Sequence, residues 1–159
     1  MALHTKDLEL LTQIVMQLSY LRIGAMLIIT KYPNKFDIKI ASHELRDALL
    51  EDYFENGLIY QYAAEDGAVV IQFEEGKRLK VCHNGAVLNP QGTVCSKEYN
   101  ELIIKSNCGT RHEKAARHSC ENPDDCIIVV SENRSISILH GPEPIYWRDD
   151  PNPLKKQIK

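Results

Sequence analysis

The sequence lacks an apolar run long enough to cross a membrane. Its longest apolar runs, residues 24–29 and 126–130, fall far short of the roughly 20 residues that a membrane-spanning helix needs. The N-terminal segment carries Asp7 and Glu9 where a secretory signal would have a basic start and an apolar stretch. These features predict a cytoplasmic protein with no membrane segment.

The sequence also lacks an excess of basic charge. It has 19 Lys and Arg residues against 22 Asp and Glu residues, which gives a formal net charge of −3. Non-specific binding to nucleic acid needs a basic face that neutralises several phosphates. We therefore expect no direct DNA binding, although this balance is compatible with a local basic pocket.

Cysteines are few and do not form the pattern of a disulfide framework. There are five, an odd number, and no two form a Cys-x-x-Cys pair, so we expect most of them to be reduced packing residues. A zinc site is an alternative, but the spacings match no standard zinc motif. The candidate ligands fall into two sets, which are Cys108 with His112, and His118 with Cys120 and Cys126.

Apolar periodicity predicts a single α/β domain with a central mixed β-sheet flanked by helices. One stripe runs along a first helix over residues 7–20 and consists of Leu8, Leu11, Val15 and Leu18. Further helices are expected at residues 42–54 and 112–120, and strands at residues 23–30, 68–73, 78–88, 126–130 and 135–140. The domain is expected to span residues 1–141, followed by a proline-rich tail over residues 142–159.

Two segments have the residue types of a phosphate site. In the first, Asp66 and Gly67 precede an apolar strand, where glycine permits close approach and a carboxylate suits a divalent metal or a hydroxyl. The alternative for this segment is a plain Asp-Gly turn.

The second segment is a Gly109-Thr110 loop that opens a helix. Free N–H groups at a helix N-terminus together with cationic side chains suit a polyphosphate. The alternative is a solvated basic face. The basic residues of this segment are Arg111, His112, Lys114, Arg117 and His118.

Four motifs, in this order and spacing, resemble those of diadenylate cyclase domains: Asp66-Gly67-Ala68, Leu88-Asn89-Pro90, Gly109-Thr110-Arg111-His112, and Ile128-Val129-Val130-Ser131 with Arg134. The resemblance covers residues 8–141 and implies a diadenylate cyclase-like fold. The turn after Ser131 is more similar to the DNA-integrity scanning branch than to the membrane-linked branch. The DNA-binding domain of that branch has no counterpart in this sequence.

The resemblance implies an enzyme that condenses two ATP molecules into the second messenger cyclic di-AMP and releases two pyrophosphates. It implies Mg²⁺ or Mn²⁺ as cofactor, and a homo-oligomer with face-to-face active sites because each protomer would bind one ATP. The catalytic residues by resemblance are Asp66, Gly67, Arg111 and His112.

The resemblance also assigns contacts with the nucleotide. Asp66 would act at the metal and the ribose 3′-hydroxyl, with Ala68 beside it, and Leu88 would lie against adenine. Ser131 and Arg134 would hold phosphates from the opposite side. The triphosphate would be held by Gly109, Thr110, Arg111 and His112.

One position departs from the family pattern. Glu113 stands where the family has an arginine, and a carboxylate there would repel a triphosphate unless it turns away or binds a metal. Lys114, Arg117 or His118 could compensate. The departure leaves open a catalytically weak or inactive regulatory domain that binds ATP or cyclic di-AMP. A zinc-dependent or purely structural interaction protein is a third hypothesis, based on the cysteines alone.

Overall fold

Helices lie on both faces of one sheet in the computed structural model of the chain, which describes residues 2–38, 48–92, 97, 110–141 and 143–148. The helices are α1 (Thr5–Tyr20), α2 (Leu50–Glu55), α3 (Leu58–Ala64) and α4 (Thr110–Glu121), with a short 3-10 helix at Pro33–Lys35. The strands are β1 (Ala25–Thr30), β2 (Asp37–Ile38), β3 (Ala48–Leu49), β4 (Ala68–Gln72), β5 (Lys80–Val87), β6 (Cys126–Val130), β7 (Ile136–His140) and β8 (Glu143–Arg148).

The sheet is mixed, as the sequence predicted. In the described residues it has eight strands in the order β2-β5-β4-β1-β6-β7-β8, and β3 pairs with β5 away from this path. β1 and β4 are parallel, whereas the other pairs are antiparallel. The predicted fold class, a single α/β domain around a central mixed sheet, is confirmed.

The central strand β1 is buried along its whole length. Successive side chains of a strand point to opposite faces, so Leu27 and Ile29 pack with α1, α2 and α3. Met26 and Ile28 pack on the other face with Ala116 of α4. The continuous apolar pattern of this segment follows from its position between two helical layers.

Helix α1 buries a slightly different stripe from the predicted one. Leu8 is 56% exposed, which makes its predicted place in the core wrong. Asp7 lies on the inner face instead, with its carboxylate 3.0 Å from the Arg78 guanidinium. The residues that complete the buried stripe are Leu11, Ile14, Val15 and Leu18.

Three further segments differ from expectation. The helix predicted at residues 42–54 is wrong over Ala48–Leu49, which pairs with β5, and α2 begins only at Leu50. Residues 42–47 lie outside the described part of the chain. Helix α3 was not predicted. β8 lies in the expected tail and pairs with β7, so the sheet extends past the predicted boundary at residue 141.

Candidate functional site

The sheet topology brings the predicted site segments to one end of the sheet. β1 and β4 are parallel and start at this end. β5 and β6 are antiparallel to them and finish there, with Ala86 opposite Ala68 and Val130 opposite Ala25. The loops at this end hold Asp66, Gly67, Leu88, Ser131 and Arg134.

The turn before β4 is shaped by packing between strands. Gly67 has φ +97°, and a Cβ there would lie 2.7 Å from the carbonyl carbon of Gly85 and 3.0 Å from the oxygen of Ala86. Only glycine fits this conformation so close to β5. The side chain of Asp66 is exposed at the turn, so the turn presents a carboxylate at the end of the sheet.

The neighbouring strand β5 carries an irregularity beside this turn. Its register with β4 shifts between Ala68 and Val70, and Gly85 has φ +73°, which is typical of a β-bulge. The bulge places the buried Asn84 where its amide nitrogen donates to Glu65. Glu65 is therefore bound to β5, and Asp66 is its exposed neighbour.

Arg111 lies over the start of β1. A Cβ on Gly24 would collide with the Arg111 guanidinium and would lie 3.1 Å from Cγ of Glu132. The glycine therefore leaves room for the guanidinium at the end of the sheet. Sequence reasoning placed Gly24 only in a core strand, although a glycine within an apolar strand signals such a close approach.

His112, the next residue of α4, is buried. It is 1% exposed, and burial, with a smaller contribution from the charge of Arg111, lowers its pKa from 6.5 to about 4. Neither ring nitrogen has a hydrogen-bond partner within the described residues. The imidazole is therefore neutral near pH 7, whereas the sequence grouped His112 with the cationic side chains of this segment.

The turn between β6 and β7 holds Arg134 in a strained conformation. The backbone N–H of Arg134 donates to the Ser131 carbonyl at 2.9 Å, and φ is +76°, which is uncommon outside glycine. The last turn of α1 supports it, since Ser19 Oγ donates to the Arg134 carbonyl at 2.7 Å. The guanidinium lies 5.5 Å from the ring centre of Tyr20.

Two cavities flank residues 88–90 after β5. The larger, of about 390 Å³, lies between residues 88–91 and a face of α4 that carries Glu113, Lys114 and Arg117. The smaller, of about 270 Å³, is lined on the other side by Phe36 and His118, among others. Leu88 lines both cavities, although it is 95% buried by its neighbours.

The basic residues of α4 do not form one solvated face. Arg117 pairs with Glu113 at 2.7 Å, and His118 lies 2.8 Å from the buried carboxylate of Asp125. Lys35 also contacts Asp125, at 2.6 Å. Burial raises the pKa of Asp125, but hydrogen bonds from His118, Lys35 and Thr30 outweigh it and lower that pKa below 3.8.

One carboxylate at this end of the sheet is relevant to the divalent metal that the resemblance implies. No group of three or more His, Cys, Asp or Glu side chains among them could hold a metal ion. Mg²⁺ is commonly held by one or two carboxylates and by substrate phosphates. The exposed carboxylate of Asp66 suits that mode, in which the protein does not have to supply all of the metal ligands.

The zinc hypothesis receives no support from the cysteines that the structure describes. Burial raises the pKa of the Cys126 thiol to about 11, whereas zinc binds the thiolate. Cys120 is disulfide-bonded, whereas Cys82 and Cys126 form no disulfide. Cys108 lies outside the described residues.

Part of the predicted site also lies outside them. Gly109 is not described, and for Thr110 only the backbone is, where α4 begins. Within the described part of the chain, no helix is both long and apolar enough to span a bilayer.

Solved structures with the same architecture share the fold at low sequence identity. A double-cysteine mutant of DacA from Staphylococcus aureus matches with a TM-score of 0.57 and 20% identity, covering 96% of this chain and 92% of that one. A hypothetical membrane spanning protein from Bacillus cereus matches with a TM-score of 0.58 and 21% identity. That match covers 91% of this chain and 64% of the other.

The described architecture is that of an α/β domain with the diadenylate cyclase fold. Residues 12–143 match the family described as "DAC: DisA bacterial checkpoint controller nucleotide-binding". Because this match spans most of the chain, the protein belongs to that family. No curated protein matches the sequence.

Proposed function

We propose that the protein is a diadenylate cyclase that converts two ATP molecules into cyclic di-AMP and two pyrophosphates. The observation that carries the proposal is the convergence of Asp66, Arg111 and the 131–134 turn at one end of the sheet. An acid for a hydroxyl or metal and cations for phosphates are the groups that nucleotidyl transfer requires. Membership of a family described as nucleotide-binding supports a nucleotide as the substrate.

In the proposed reaction, the 3′-hydroxyl oxygen of one ATP attacks the α-phosphorus of the other. A phosphorus–oxygen bond forms, the bond to the pyrophosphate leaving group breaks, and the hydroxyl proton passes to solvent. A second, reciprocal attack closes the ring. Positioning of the two nucleotides and neutralisation of phosphate charge are the main contributions of the protein to such a step.

Each side chain has a defined task in this proposal. Asp66 orients the attacking hydroxyl, and Arg111 and Arg134 neutralise phosphate charge. His112 is neutral and buried, so it would contribute a hydrogen bond from a preorganised ring and no charge. Leu88 would contact adenine, and Ser131, Gly109 and Thr110 would contact phosphates.

Asp66 would also hold Mg²⁺ or Mn²⁺ together with the triphosphate. The metal supplies Lewis-acid neutralisation of the phosphate oxygens when it is bound. Because each protomer would bind one ATP, the proposal requires two copies of the chain with their sheet ends face to face. The turn after Ser131 supports a closer relation to the DNA-integrity scanning branch.

A second candidate function is nucleotide binding without turnover. Glu113 favours it, because it replaces a family arginine by a carboxylate next to Arg111 and His112. Measured turnover separates the two functions, since both bind ATP and only the first consumes it.

The experiment that tests the catalytic role of this site is Asp66→Asn, compared with wild type by ATP affinity and by cyclic di-AMP formation. We expect turnover to fall roughly 10²-fold or more, because the carboxylate acts on the reacting hydroxyl and metal, while ATP binding changes little. Asp124→Asn is the matched control, since Asp124 is an exposed aspartate in the loop before β6, at the other end of that strand. Unchanged turnover in Asp66→Asn would remove Asp66 from the mechanism.

A further inference from the structure

The segment that follows β5, residues 88–92, is held at two points. It continues directly from β5, and α4 binds it at Gly92. Arg117 Nη1 donates to the Gly92 carbonyl at 3.0 Å, and the Gly92 N–H donates to the Glu121 carboxylate. Two side chains of α4 therefore hold both backbone polar groups of one loop residue.

The loop docks closely against α4 at this point. A Cβ on Gly92 would lie 2.8 Å from Glu121 Oε1 and 3.5 Å from its Cγ. A side chain at this position would force the carboxylate away from the backbone N–H that it binds. The absence of a side chain thus allows the loop to lie directly on the helix.

Glu113 orients the arginine that makes one of these contacts. Its carboxylate lies 2.7 Å from Arg117 Nη2, one helical turn away, so a single guanidinium bridges Glu113 and Gly92. An arginine side chain has many rotamers, and an ion pair that selects one of them places the second donor. Because the pair is partly exposed, at 33% and 41%, its contribution is to geometry more than to stability.

We propose that Glu113 is a positioning residue, which acts through Arg117 to hold residues 88–92 against α4. The cavity of about 390 Å³ between that loop and α4 then keeps the shape that receives the nucleobase beside Leu88. The proposal rests on the proposed nucleotide function. In this proposal the Glu113 carboxylate, which departs from the family pattern, pairs with Arg117 and does not face the triphosphate.

The proposal predicts that a change at Glu113 affects binding of the nucleobase but not binding of the phosphates. Glu113→Gln keeps the size of the side chain and removes its charge, so we expect the dissociation constant for ATP to rise roughly two- to fivefold. Affinity for inorganic tripolyphosphate, which has no base, should stay within about twofold of wild type. In an Arg117→Gln background the same change should have no further effect on ATP binding, because residues that act in series are not additive.

Glu74→Gln is the matched control. Glu74 pairs with Lys77 at 2.8 Å and is 41% exposed, as Glu113 is, but it lies in the turn between β4 and β5, at the other end of the sheet. Its substitution should leave both affinities at the wild-type value.

Calorimetric titration of the full chain with ATP and with tripolyphosphate distinguishes the outcomes. A wild-type chain that binds no ATP overturns the proposed function. Wild-type ATP binding that is unchanged in Glu113→Gln overturns only the positioning role. Tighter tripolyphosphate binding in Glu113→Gln also overturns it, because that result places the carboxylate against the phosphates.

Discussion

His112 carries no charge near neutral pH, although it stands in the most basic stretch of the chain. Its ring is buried, and the adjacent Arg111 disfavours a second positive charge, so its folded pKa is about 4. In the unfolded chain a histidine titrates near 6.5. Between these two values the unfolded state binds more protons than the folded state.

This difference predicts acid sensitivity. The free energy of unfolding should decrease as the pH falls from about 6.5 to about 4, by roughly 3 kcal/mol in total from His112 alone. Urea unfolding at several pH values measures the slope. His112→Gln should flatten it, and equal slopes in wild type and His112→Gln would contradict the burial of a neutral ring.

At the residue scale, the sequence showed which residue types each motif contains but not what surrounds them in the fold. The order of Arg111 and His112 in their motif could be read from the sequence. The burial of His112 and the partial exposure of Arg111 could not, because they depend on which face of α4 meets the sheet. The partner of Glu113 was equally hidden, because an acid four residues before Arg117 does not reveal whether it faces solvent, a ligand or that arginine.

At the scale of elements, the end of α1 sets the entry into β1. The N–H of Arg22 donates to the Ser19 carbonyl at 3.1 Å and that of Ile23 to the Leu18 carbonyl at 2.9 Å, which is the pattern of a Schellman motif. Arg22 occupies the left-handed position of this motif with φ +59°. Glycine is the usual residue there, so this helix end is strained.

The strain predicts the order of two substitutions. Both Arg22→Gly and Arg22→Ala remove the side chain, but only glycine adopts φ +59° without steric cost, so the glycine variant should be more stable by roughly 1 kcal/mol. Urea midpoints of the two variants measure this. Leu21 is the matched control, because its φ of −79° is ordinary and alanine there should be at least as stable as glycine. Equal midpoints for the two Arg22 variants would argue against the left-handed conformation.

Elements with a local signal were predictable, and elements defined by their partners were not. Local apolar periodicity predicts the runs of β1 and β6, the hairpin of β4 and β5, and the stripe of α1. β3 has two residues and exists because β5 lies beside it. β8 contains Pro144 and lies in a segment rich in prolines, a composition that argues against a strand. It forms a strand because it pairs with β7.

At the scale of the whole molecule, the sheet gathers the site residues at one end and leaves Asp66 exposed there. A single chain would hold one ATP, whereas ring closure needs two. The proposed enzyme is therefore complete only when two such ends face each other. A dimer of this kind forms by mass action, so its activity should depend on protein concentration.

The measurement that tests the central claim most directly is the rate of cyclic di-AMP formation, followed by mass spectrometry, by the purified chain with ATP and Mn²⁺ over a dilution series. We expect cyclic di-AMP with release of pyrophosphate, and a specific activity that rises with protein concentration and then levels off. Binding of ATP without cyclic di-AMP at any concentration would contradict the enzyme and leave the regulatory domain in its place.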